Sequence, residues 1–140
     1  MATSFVQLYV HLVWTTRFRA PLLTPLIAPR VHAYMSSRCR ALGCEALAIG
    51  GVADHVHVLA MLAPDVSVAA LVSGIKAPTS TFVKRALHLS DFAWQAGYGG
   101  FTVNANDLEL VRGYVVEQAR HHALETVRSA WEATPGEPGP

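Results

Sequence analysis

The chain has 140 residues, of which 51% are hydrophobic and 15% charged, and a net charge of +1. This length fits one domain with its own core, and the composition excludes a disordered protein. The small net charge speaks against an obvious nucleic-acid binder, yet it averages over an asymmetry. Residues 1–44 hold five arginines and no acid, residues 45–104 three cations and four anions, and residues 105–140 three cations and six anions. Ends of opposite sign imply a basic face in the N-terminal half, compensated near the C-terminus.

Phe5 to Trp14 (FVQLYVHLVW) is β-branched and aromatic and predicts a long first strand. Thr24-Pro25 is a helix-start pair. Apolar positions at Ile27, Val31, Tyr34, Met35 and Leu42 then predict a helix that stops at Gly43, with Pro29 delaying its start. Ala46–Val52 reads as a second strand broken at Gly50-Gly51. His55–Leu62 reads as a third, joined to the second by a short hairpin through Ala53-Asp54. Ser67 can cap a helix reaching about Leu87, in which Pro78 predicts a kink or break. Phe92–Val103 reads as a last strand or a bent hairpin. Asn106 with Glu109 resembles a capping box that opens a helix running to about Trp131.

The expected organisation is one domain over residues 1–131 and a disordered tail over 132–140. The order β–α–β–β–α–β–α predicts an α+β, ferredoxin-like (RRM-like) antiparallel sheet with helices on one face, plus an added C-terminal helix. The other sheet face is expected to be open to a ligand. Cys39 and Cys44 form neither a disulfide framework nor a metal motif, and two buried thiols suit a reducing cytoplasm. The first sixteen residues are too short and too polar for a membrane span, so the reading is a cytoplasmic protein without a membrane partner.

Two motifs carry chemistry. In His55-Val56-His57 the histidines stand at i and i+2 of a strand, so both project to one face while Val56 faces the core. Two neutral imidazoles at that spacing can share a divalent metal. The second motif is Tyr114-Val-Val-Glu-Gln118. Residues at i and i+4 share a helix face, so Tyr114 and Gln118 flank a core stripe of Leu108, Val111, Val115, Ala119 and His122. A phenol is a poor nucleophile at neutral pH, and a metal that polarises a phosphoryl oxygen would assist it. The Gln118 carbonyl oxygen can join the histidines, and a mixed imidazole and oxygen set suits Mg2+ or Mn2+. His121 on the same stripe is a hydrogen-bond partner to a ligand or an alternative ligand, whereas His11, His32 and His88 read as isolated. Arg17, Arg19, Arg38, Arg40, Lys76, Lys84 and Arg85 are the phosphate-contact candidates, and Phe18 and Tyr98 can stack unpaired bases.

His55-Val56-His57 resembles the histidine–hydrophobic–histidine signature of HUH enzymes. Tyr114 with Gln118 resembles the catalytic helix of the single-tyrosine, TnpA-type transposases of small insertion sequences and their REP-associated relatives. The stretches LVWTTRFRAPLLTP, GGVADHVHVL, SGIK and FAWQAGYGGFTV agree with the resemblance, which covers about residues 5–125. It implies cleavage and rejoining of single-stranded DNA at hairpin-bearing ends. Tyr114 would be the nucleophile of a 5′-phosphotyrosine link, and His55, His57 and Gln118 would hold the metal. It also implies a homodimer, in which the tyrosine of one subunit can complete its partner's site. The alternative is a ferredoxin-like nucleic-acid-binding protein without cleavage activity.

Overall fold

The computed structural model describes residues 4–124 and 127–136. Strand β1 (Tyr9–Thr15) is the axis of the molecule. It pairs antiparallel with β3 (His55–Met61) on one side and with β4 (Gly99–Val103) on the other. Strand β2 (Glu45–Val52) pairs antiparallel with β3, so the order is β2-β3-β1-β4, the ferredoxin-like arrangement. The expected start at Phe5 is too early. Both partner strands end opposite Tyr9, the pairing continues only as far as Leu8 O, which accepts from the Leu62 amide at 2.8 Å, and Phe5 is exposed. Strand β2 runs unbroken through Gly50-Gly51, and its irregularity is a register shift between Ala46 and Ala48. The last strand is only Gly99–Val103. Of the preceding stretch, Trp94 makes an isolated bridge to Thr16.

Alternation along the strands sorts side chains to two faces. Val10, Leu12, Trp14, Val56, Val58 and Ala60 point to one face. They pack under helices α1 (Ala28–Ala41) and α2 (Val68–Ala86), which contribute Val31, Met35, Cys39, Leu71, Ile75 and Val83. Pro29 sits in the first turn of α1, as expected of a residue that delays the start. Ser67 Oγ caps α2 by accepting from the Ala70 amide at 3.0 Å. Pro78 does not end α2. It removes the amide that would bond the Gly74 carbonyl, and Arg38 Nε of α1 donates to that carbonyl at 3.2 Å instead.

The opposite face carries His11, His57, Leu59 and Val13. It is not left open. Helix α3 (Leu108–Val116) lies across β2 and β3, with Val111 and Val115 against Leu59. Gly50 permits this approach, because a Cβ there would overlap the Val115 carbonyl oxygen. The single last helix expected to reach Trp131 is interrupted at Glu117 (φ −101°, ψ 31°), and α4 (Gln118–Ala123) follows. Its start also differs from the expected capping box. No side chain caps α3 itself, and Asn104 Oδ1 instead caps the short turn before it, accepting from the Asn106 amide at 2.9 Å.

Candidate active site

β3 places His55 and His57 side by side on the α3 face, with ring centroids 5.1 Å apart, both buried. Each has its Nδ1 already engaged. His55 Nδ1 donates to Asp54 Oδ1 at 2.7 Å, and His57 Nδ1 lies 2.7 Å from His11 Nε2. This is the outer-shell pattern that fixes a metal-binding imidazole and aims its other nitrogen. His11 is therefore not isolated. It stacks on His57 at 5.0 Å from the neighbouring strand β1, and its pairing partner was invisible until strand order was known. Burial and the adjacent His57 hold the His11 pKa down at about 3, so it is neutral. A neutral His11 can accept from His57 Nδ1–H or donate to Nδ1, and the tautomer sets whether His57 presents a lone pair or an N–H at Nε2.

α3 and α4 bring Tyr114 and Gln118 to the pair. Both are buried rather than flanking the core stripe, Tyr114 within α3 and Gln118 at the start of α4, just past the break at Glu117. The Tyr114 ring centroid is 5.9 Å from that of His57 in the same chain. Gln118 Oε1 is 3.3 Å from His55 Nε2, and Gln118 Nε2 donates to the Tyr114 carbonyl at 3.1 Å. All four expected site residues thus converge.

Glu132 joins them from the segment expected to be a disordered tail. Over its described part, that segment is laid against the site. Pro135 O accepts from Gln95 Nε2 at 3.2 Å, and Ala133 O sits where a Cβ on Gly99 would stand. Residues 137–140 lie outside the described residues. Glu132 Oε2 accepts from Tyr114 Oη at 2.6 Å and lies 3.0 Å from His57 Nε2. Its Oε1 lies 3.1 Å from His55 Nε2 and 3.3 Å from His122 Nε2. His122, expected in the core stripe, reaches this cluster, while His121 instead lies with its ring 4.7 Å from that of Tyr114. Periodicity could flag neither Glu132 nor His122 as site residues: the first follows a chain break in pattern, and the second depends on the kink at Glu117.

The electrostatics follow from these contacts. Burial alone would lower the His55 pKa, but its hydrogen bonds with Asp54 and Glu132 outweigh burial and push it up to about 9. Burial dominates at His57 and lowers its pKa. Burial resists ionisation of Glu132, but hydrogen bonds from His55 and His57 outweigh it and hold the carboxyl well below the usual range. Burial and the hydrogen bond to Glu132 raise the Tyr114 phenol above its ordinary value. The donor set therefore fits a divalent cation. Ligand atoms of His55, His122 and Glu132 lie within 4.8 Å of one another, and Gln118 Oε1 stands 3.3 Å from His55 Nε2.

The basic candidates do not form one face. Arg17 and Arg19 stand at the rim, in the turn after β1, and Arg19 Nε pairs with Asp54 Oδ2 at 3.2 Å. Phe18 between them and Arg19 itself adopt left-handed backbone (φ 56° and 54°), and Phe18 is 49% exposed with the Arg17 guanidinium 4.9 Å over its ring. Such strain is stored where surrounding structure imposes it, often at a functional rim. Arg38 is committed to the Gly74 carbonyl, and Lys76 Nζ donates to Gln95 O at 2.7 Å and Gly97 O at 3.0 Å. Arg40, Lys84 and Arg85 are exposed on the helical layer, away from the site face.

Among the described residues no helix is long and apolar enough to cross a membrane. The two cysteines are free and buried. No curated protein matches the chain. Two solved structures share the fold. One is a Deinococcus radiodurans R1 protein assigned as a transposase, 21% identical over 82% of this chain and 94% of that one, with a TM-score of 0.67. The other is a REP-associated tyrosine transposase bound to a REP hairpin, 15% identical over 90% of this chain and 73% of that one, with a TM-score of 0.62. The family model for IS200-like transposases matches residues 4–118, from before the first strand to the glutamine of the site. The chain belongs to the IS200-like transposase family.

Proposed function

We propose that this transposase cleaves and rejoins single-stranded DNA at hairpin-bearing ends, with Tyr114 as the nucleophile. The observation that carries the reading is one shared carboxylate. Tyr114 Oη and His57 Nε2 lie 2.6 and 3.0 Å from the same Glu132 oxygen, so the phenol stands at the histidine pair of its own chain. Tyr114 Oη attacks the phosphorus, the P–O bond to the 3′ oxygen breaks, and a 5′-phosphotyrosine and a free 3′-OH result. One proton leaves Tyr114, for which Glu132 Oε2 is an acceptor within hydrogen-bond reach, and one is taken up by the departing 3′ oxygen. Rejoining is the reverse, so no external energy is consumed.

His55, His57 and Gln118 would hold a divalent ion, Mg2+ or Mn2+. What such an ion supplies when bound is charge withdrawal from a phosphoryl oxygen and orientation of the scissile bond. Asp54 and His11 keep the two imidazoles oriented. Arg17 and Arg19 would meet the phosphates that enter beside Asp54, and Phe18 would stack on an unpaired base. The hairpin partner is supported by the fold neighbour bound to a REP hairpin. The same reading takes the protein as a cytoplasmic homodimer.

The test is incubation with hairpin-bearing single-stranded DNA and Mn2+ or Mg2+. A denaturant-resistant protein–DNA adduct is expected, lost with chelator and reduced at least about a thousandfold in Tyr114→Phe. An undiminished adduct in that variant overturns the nucleophile. Hairpin binding without any adduct would favour the non-catalytic DNA-binding protein.

A further inference from the structure

The family match ends at Gln118, yet the site continues past it. Four donor atoms close a ring around one point. Gln118 Oε1 is 3.3 Å from His55 Nε2 and 3.1 Å from His122 Nε2, and Glu132 Oε1 is 3.1 Å from His55 Nε2 and 3.3 Å from His122 Nε2. Neighbouring ligands of a six-coordinate ion with bonds of about 2.1 Å stand roughly 3 Å apart, so the ring has the right edge lengths. Its chemistry points the same way. The Nδ1 of His55 is spent on Asp54, and its Nε2 is met by two oxygens, both acceptors. A proton on His55 Nε2 satisfies these acceptors in the metal-free chain, and a divalent ion would take that proton's place among the same lone pairs.

We propose that His122 and Glu132 are ligands of the divalent ion alongside His55, His57 and Gln118, so that the segment after α3 completes the metal centre. This rests on the reading of the histidine pair as a metal site, and it adds two ligands from outside the matched family segment. Glu132 would bind through Oε1, leaving Oε2 toward the Tyr114 hydroxyl. Its backbone is anchored for that task. Trp131 packs edge-on to Tyr114 at 5.0 Å, and the Arg128 amide donates to Tyr114 Oη at 2.9 Å.

The test is Mn2+ titration of the full chain without DNA, following free Mn2+ by electron paramagnetic resonance. Glu132→Gln and His122→Gln keep side-chain shape or reach, and each is expected to weaken Mn2+ binding at least tenfold. Glu117→Gln, whose carboxylate pairs with Arg120 at 2.9 Å, should leave binding unchanged. The nitrogen couplings of the bound Mn2+ should lose one imidazole in His122→Gln, which reads coordination independently of affinity. Affinity equal to or tighter than wild type in both Gln variants, or unchanged couplings, overturns the proposal and makes Glu132 a side chain that competes with the ion. If His55→Ala weakens binding while those two variants do not, the histidine-pair reading stands and this inference alone falls. A wild-type chain that binds no Mn2+ overturns both.

Discussion

The two faces of one sheet are built from the same strands and do opposite things. Toward α1 and α2, Val10, Leu12, Trp14, Val56, Val58 and Ala60 form a continuous apolar layer. Toward α3, the intervening positions carry His11, His55 and His57, with Leu59 left to seat the helix. The apolar face is held by burial, which is non-directional and tolerant of detail. The other face is held by directional contacts, in which every imidazole nitrogen that meets Asp54, His11 or Glu132 constrains the next. Stability and chemistry are thus separated by a one-residue alternation.

That separation can be broken from either side. Leu12→Ala removes a fully buried side chain from the apolar face and should cost about 2–5 kcal/mol in a urea or thermal melt. Adduct formation per folded molecule should be retained, and a selective loss of adduct would mean the faces are not independent.

Gly50→Ala attacks the seam between them. The new methyl meets the Val115 carbonyl, so α3 must lift from the sheet, at a cost of about 1–3 kcal/mol. Because Tyr114 and Gln118 follow from α3, adduct yield should fall more than stability does. An active Gly50→Ala chain would show that α3 can shift without consequence.

The polar face should carry the alkaline pH dependence of chelator-treated protein. His55 keeps its proton in the folded chain to about pH 9, but in the unfolded chain only to about 6.5. Its contribution is complete below pH 6.5 and is lost as pH rises to about 9. Glu132, whose folded pKa is depressed, contributes above its ordinary value of 4.5 and loses that contribution as pH falls below it. His11 and His57, whose folded pKa values burial lowers, contribute above about pH 6.5 and lose that contribution as pH falls below it. Melting temperature should therefore peak near pH 6.5 and drop by several degrees by pH 9. Asp54→Asn should flatten the alkaline limb, and an unchanged limb would remove His55 as its cause.

The smallest expected effect compares the rim with the helical layer. Arg17→Ala should lower the salt slope of hairpin binding by about 1, while Arg40→Ala should not. Equal effects would restore the broad basic face that the charge asymmetry suggested.

Much of this was legible before any coordinates. The i, i+2 spacing of His55 and His57 places them on one face whatever the sheet around them, because strand side chains alternate strictly. The β–α–β–β–α–β–α order specifies the ferredoxin-like sheet, since a hairpin between β2 and β3 leaves few ways to return. Tyr114 and Gln118 were visible as a pair because four residues make just over one helical turn, even though the helix breaks between them.

Local pattern is blind to contacts made across distance, and those decided the rest. His11 read as isolated because only the pairing of β1 with β3 brings it to His57. Pro78 read as a break because the donor that relieves it, Arg38, belongs to another helix. Glu132 read as tail because no periodicity marks a side chain whose role is set by four partners from three other segments. The sequence by itself determined which residues share a face and the family to which they point. Only the tertiary structure decided which charges meet in the buried centre, because a carboxylate far along the chain is drawn there by fields and hydrogen bonds that exist only once the sheet and α3 have assembled. The net charge of +1 with which the chain began hid both facts. One of its acids is largely withdrawn from solvent and engaged at the site, and two of its seven candidate DNA-binding cations are committed to backbone carbonyls within the fold.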